Sequence, residues 1–248
     1  MCFPFDAIVP DIPEGFRAIA GGAGGEHLTL TSGDGTQFSA FLAREEGATG
    51  VVVLPDVRGL FRFYEQLAER FAAAGHPAIA IDYFGRTAGL GPRDESFEYM
   101  PHVKQSTPKN VARDVETALN ALREETGAER AITVGFCFGG AQSFMQAAEG
   151  HAGLAGVVGF YGSLKREGQR WALDRAPDAK VPVLGLFGGD DDHIPQDQID
   201  AFEAALPVEK EIRVYAGAPH SFFDRRAEDF KAESEDAWKR ILGFIDRL

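Results

Sequence analysis

The residue type and spacing best suited to nucleophilic chemistry lie in "ITVGFCFGGAQSF", Ile132 to Phe144, where an apolar run breaks at Gly135-Phe136-Cys137-Phe138-Gly139 and enters helix-forming residues. A strand, a G-x-C-x-G turn and a helix form a nucleophile elbow. The sharp turn pushes the side chain out at the carboxyl edge of a sheet while the glycines let neighbouring backbone pass close by. At a helix N-terminus the dipole and the unbonded N–H groups favour a thiolate, so the position can activate Cys137 as well as present it. Such a nucleophile needs a base and an orienting acid, which in this order of elements follow downstream, acid before histidine. "GGDDDHIP" supplies Asp190, Asp191 and Asp192, and "AGAPHSFF" supplies His220. His193 also lies near the acids, but an acid and histidine almost adjacent in sequence suit this order poorly. The oxyanion donors expected of the arrangement are the backbone N–H of Phe138, just after the nucleophile, and that of Val57 in "PDVRG".

The elements that must hold these residues can be read from hydrophobic period. "HLTLT" and "TQFSAFLA" alternate about "SGDG", which predicts an antiparallel hairpin of 27–31 with 36–43. Apolar runs at 50–55 and 77–84 predict strands buried on both faces, and further strands are predicted at 131–136, 154–160, 181–187 and 211–215. Helical period predicts helices from Phe63 to Gly75, over 108–126, from Gly139, near 196–206 and over 227–248. Repeated βα units imply a mostly parallel sheet with helices on both faces, an α/β class, in one domain of 1–248 preceded by an irregular lead-in, 1–26. Residues 87–107 and 163–180 resist the pattern and are expected to be lids or binding loops. Cys137 then stands at the end of one strand, His220 at the end of the last, and the three aspartates between.

Composition narrows the partners. A formal charge of −13 disfavours nucleic acid and anionic membrane surfaces. Two cysteines, Cys2 and Cys137, give no disulfide framework and no C-x-x-C, which fits a reducing cytoplasm and argues against a thiol redox protein. The N-terminus lacks a signal-peptide pattern, and no run has the length of a membrane span. Cysteines and histidines without clustered spacing disfavour a zinc hydrolase, so no metal or organic cofactor is expected. The expected partner is a small molecule, and the sequence is silent on oligomeric state.

In order along the chain, "PDVRGL", "DYFGR", "GFCFGG", "GFYG", "GGDDDHIP" and "HSFF" resemble a dienelactone hydrolase from about Gly50 onward. The resemblance implies the α/β-hydrolase fold, a Cys-Asp-His triad and hydrolysis of a carboxylic ester or lactone through a thioester. It also chooses among the acids. The family's G-x-x-D followed four residues later by Pro falls on Gly188, Asp191 and Pro195, leaving Asp190 and Asp192 as solvated loop charges. A family glutamate that contacts the resting thiol corresponds to Asp56, whose side chain is shorter. Arginines that grip a substrate carboxylate correspond to Arg86 and, offset by one from Asp224, to Arg225. Tyr83 and Phe84 are expected to line the pocket. Two further readings stand beside it: a broader carboxylesterase or thioesterase, and, from another class, a ligand-binding member of the fold without catalysis.

Overall fold

Apolar runs with no polar alternation need cover on both faces, and here they become the inner strands of one sheet. The structure is a computed structural model that describes residues 7–13, 16, 24–224 and 226–248. Cys2, much of the 1–26 lead-in and Arg225 lie outside the described residues. Eight strands are described: β1 (Gly25–Thr31), β2 (Gln37–Ala43), β3 (Thr49–Leu54), β4 (Ala78–Ile81), β5 (Arg130–Phe136), β6 (Leu154–Phe160), β7 (Val183–Asp190) and β8 (Lys210–Pro219). Their order is β1-β2-β4-β3-β5-β6-β7-β8. β1 with β2 and β2 with β4 are antiparallel, and the remaining neighbours are parallel. The expected hairpin is present, although Thr36 closes the turn through a 2.8 Å bond from the Ser32 N–H instead of opening the strand.

The chain steps outward from β3 to β4 and then returns past β3 to β5. The carboxyl ends of β3 and β5 therefore flank the point where strand order reverses, the usual place for a ligand in an open α/β sheet. Helices cover the sheet: α1 (Arg62–Ala73), α4 (Pro108–Thr126), α5 (Phe138–Gln146), α7 (Gln196–Ala205) and α8 (Lys231–Arg247). α1 turns Phe63, Tyr64, Leu67 and Phe71 inward, and Phe71 meets Trp238 of α8 at 4.8 Å between ring centroids. α4 begins at Pro108 behind a Thr107 cap that accepts from Asn110 N–H and ends at Gly127 with φ 74°, the bounds its sequence predicts. α5 is buried over its whole length, as its apolar composition requires.

Two strands run further than their apolar runs. β7 continues to Asp190 and β8 to Pro219, paired across an irregularity between Gly188 and Asp190. Asp191 and His220 consequently begin the loops immediately after these strands. The two stretches read as irregular also contain short helices, α2 (Gly85–Ala88) and α3 (Tyr99–Gln105) in or beside the first and α6 (Ala172–Arg175) in the second. Helices of one or two turns are too short to show a period. Among the described residues no helix is long and apolar enough to cross a membrane.

Candidate active site

The elbow is built by close approach of backbone. A Cβ on Gly135 would stand 2.0 Å from the Gly139 carbonyl oxygen, and one on Gly139 would stand 2.1 Å from that of Leu54. Both contacts exclude any side chain, which explains the G-x-C-x-G pattern. Cys137 itself has φ 53° and ψ −110°, a conformation unfavourable for a residue with a Cβ, held by a 3.0 Å bond from its N–H to Phe160 O. Two other non-glycine residues among those described have positive φ, Tyr161 at 37° and Ser221 at 62°. All three line one cavity of about 380 Å³. Strain at a cost of about 1–3 kcal/mol per residue persists where surrounding structure holds it, characteristically at functional sites.

His220 lines the same cavity. Its Nδ1 lies 2.6 Å from Asp191 Oδ2, and Asp191 Oδ1 accepts the His193 N–H at 3.0 Å. An ionised carboxylate only accepts, so Nδ1 carries the proton of this bond and leaves Nε2 for chemistry. Asp191 is buried, whereas Asp190 and Asp192 are exposed. His193 also reaches the cavity, its ring edge-on to that of His220 at 5.7 Å. Val57 and Phe138 line the cavity, and Phe138 N–H belongs to the first turn of α5, where no helical carbonyl is available to it.

The remaining expected site residues are placed differently. Tyr83 does not line this cavity: it is buried, donates its hydroxyl to Pro55 O at 2.9 Å and packs edge-on against Phe138 at 5.3 Å, bracing the two loops from behind. Phe84 is fully buried against Phe97 and His102. Arg86 is engaged elsewhere, bound to Asp114, to Asp34 at 3.0 Å and to Ser32 Oγ at 2.9 Å, and is not among the cavity residues. It ties the β1–β2 turn to α4, because a buried Asp114 needs a cation more than solvent does. Asp56 does reach the cavity, and its carboxylate is held by Arg58 through Nη2 at 3.0 Å, Nε at 3.2 Å and the N–H at 2.8 Å. Burial pushes Asp56 above the usual carboxylate range, with Arg58 opposing the shift.

Four residues that carry the cavity walls were not singled out by sequence. Tyr99 and Met100 of α3 form one wall, and Arg166 and Trp171 form another. Trp171 is fixed by its indole N–H donating to Ser163 O at 2.9 Å, and the Arg166 guanidinium lies 5.0 Å from the Trp171 ring. Arg166 is the one arginine or lysine among the described residues lining the cavity. Their only signal was the absence of period over 87–107 and 163–180. A larger open groove of about 870 Å³ near Phe61 and Arg93 contains none of Cys137, Asp191 or His220, so size does not mark the site.

Compared with known proteins, residues 38–248 match a family model described as the dienelactone hydrolase family. The chain is 30% identical over 233 residues to a provisionally named carboxymethylenebutenolidase of Salmonella typhimurium, spanning 87% of this chain and 84% of that one. Identity to a carboxymethylenebutenolidase of Pseudomonas putida is 27%, over 90% of this chain and 97% of that one. The solved structure of a provisionally named dienelactone hydrolase from Klebsiella pneumoniae is similar with a TM-score of 0.77 at 27% identity, covering 90% of this chain and all of the other.

Proposed function

The chain belongs to the dienelactone hydrolase family, with the α/β-hydrolase fold, and from that premise we propose that this hydrolase cleaves a carboxylic ester or lactone through Cys137, His220 and Asp191. What carries the reading is the convergence on one cavity of the strained Cys137 and of His220, whose Nδ1 is bound by Asp191. His220 Nε2 takes the thiol proton and Sγ attacks the carbonyl carbon. The tetrahedral oxyanion is held by the N–H groups of Phe138 and Val57. Collapse expels the alcohol, protonated by His220, and leaves a thioester that water, deprotonated by the same histidine, hydrolyses to acid and thiol. Asp191 keeps the imidazole in the reactive tautomer and stabilises its charged form.

The substrate is a small molecule, and a carboxylate on it would be gripped by Arg166, the cation of the cavity wall. Asp56 acts as a wall residue paired to Arg58. The single-domain organisation, a cytoplasmic setting and the lack of nucleic-acid, membrane or cofactor partners belong to the same reading, supported by composition. A broader carboxylesterase or thioesterase is favoured by one observation: with Arg86 committed to Asp114 and Asp34, anion recognition among the described residues falls to Arg166 beside apolar Met100, Val103 and Ile194. A panel of lactones with and without a carboxylate, together with neutral aryl esters, tests both. Hydrolysis of carboxylated lactones preferred by at least tenfold in kcat/KM supports the narrow enzyme, equal rates support the broad one, and turnover of neither class contradicts the proposal.

A further inference from the structure

Beside the cavity, and in part lining it, is a group of buried polar side chains, several of which the reaction above does not use. Asp224, in the turn after His220, is 1% exposed, and neither carboxyl oxygen makes a hydrogen bond of normal geometry among the described residues. The same holds for the hydroxyls of Tyr161 and Tyr64, both fully buried. The groups face one another from separate elements: Asp56 and Arg58 after β3, Tyr64 on α1, Tyr161 after β6, and His220 before Asp224 in its own loop. Phe136, Phe160, Phe222 and Phe223 enclose them, with Phe136 5.7 Å from the Tyr64 ring and Phe222 5.6 Å from that of Tyr161. Tyr161 also interacts electrostatically with Cys137, and its ring lies 4.9 Å from that of His220.

Arg58 is already bound to Asp56. A charge on Asp224 is favoured by the Tyr161 hydroxyl, His220 and Arg58 and opposed by burial and by a second carboxyl, Asp56. Burial first, and Asp56 second, outweigh these groups and push Asp224 up to about 7.

Resting on the assignment of Cys137 as nucleophile, we propose that Asp224 is a positioning residue for the Cys137–His220 pair: as a neutral acid it keeps a second negative charge out of the buried group that includes His220 and Tyr161, and conversion to carboxylate slows acylation. The sign follows from the charges. A carboxylate there favours the His220 imidazolium, raises the thiol toward its protonated form and opposes the negative charge that builds on the oxyanion. Activity then falls on the alkaline side through a group distinct from the Cys137–His220 pair.

The test is the pH dependence of Cys137 alkylation by iodoacetamide, followed by mass, beside that of kcat/KM. The wild-type alkylation curve is expected to rise in two steps, and Asp224→Asn, neutral at every pH, in one, with its midpoint lower by roughly half a unit or more. The variant should match wild-type kcat/KM near pH 5.5 and exceed it at pH 8. A single-step wild-type curve, an unchanged midpoint in the variant, or equal loss of activity at all pH values would overturn the proposal. The wild-type curve needs no variant to fold, and alkylation needs no substrate, so a lack of ester hydrolysis and a failure of the Asp224 role give different results.

Discussion

Two buried aspartates interact with His220, one through a hydrogen bond and the other through its charge, and the two are wired in opposite ways. Asp191 binds His220 Nδ1 through one oxygen and the His193 N–H through the other. Asp224 has no N–H donor on either oxygen among the described residues and is shifted up by burial and by Asp56, against the Tyr161 hydroxyl. Burial alone therefore does not decide the role of a carboxyl group. The donors aimed at it do, since N–H donors favour the charged form of a carboxyl group and burial without them favours the neutral form.

The sharpest way to break this contrast is to make both side chains amides. Asp191→Asn should lower kcat by roughly a thousand- to ten-thousandfold, because the amide can donate to Nδ1 and select the wrong tautomer. Asp224→Asn should leave the rate near pH 5.5 within about twofold, so comparable losses in kcat for the two variants would erase the distinction. Asp190→Asn and Asp192→Asn, at exposed positions, should change kcat little, and a large loss in either would move the orienting role away from Asp191.

A smaller effect separates two arginines in the same manner. Arg166→Ala should lower kcat/KM for carboxylated lactones by about ten- to a hundredfold, the value of a charge-assisted contact, and leave neutral aryl esters nearly unchanged. Arg86→Ala should spare both substrates' kcat/KM yet lower stability in urea by on the order of 3 kcal/mol, because Asp114 is left buried without its cation. A substrate-dependent loss at Arg86 with none at Arg166 would reverse these roles.

The gentlest test is thermal. A carboxyl group raised in the folded state binds its proton more tightly there than when unfolded. Its contribution to stability is complete below about pH 4 and is lost as pH rises through about 7. Asp224→Asn should therefore raise Tm at pH 8 relative to wild type and flatten the decline between pH 5 and 8. An identical pH slope in the two proteins would contradict the raised position of Asp224.

The elements holding the candidate chemistry were legible because their signals are local. The β3, β5 and β6 strands are continuous apolar runs, the elbow needs glycine where backbone touches backbone, and Thr107 and Gly127 mark the ends of α4. Chain order alone brings His220 and the aspartates to the carboxyl edge, and choosing Asp191 took the family resemblance. Arg86 shows what sequence does not carry: its partners Asp34 and Asp114 are 52 and 28 residues away, and only the fold reveals that its charge is committed. Tyr83 likewise sits at the predicted strand end yet turns toward Pro55 instead of the cavity. Arg166 and Trp171 lie in a segment whose geometry comes from single side-chain bonds such as Trp171 to Ser163, which leave no period to read.

The central claim is covalent catalysis by Cys137, and intact-mass analysis of enzyme quenched within milliseconds of mixing with an activated aryl ester tests it most directly. Because the chain has a second thiol, Cys2, peptide mapping must locate any adduct. The expected result is a transient mass increase equal to the acyl group, confined to the peptide containing Cys137 and abolished together with turnover in Cys137→Ala. Wild-type turnover without an adduct, combined with full activity in Cys137→Ala, would contradict it.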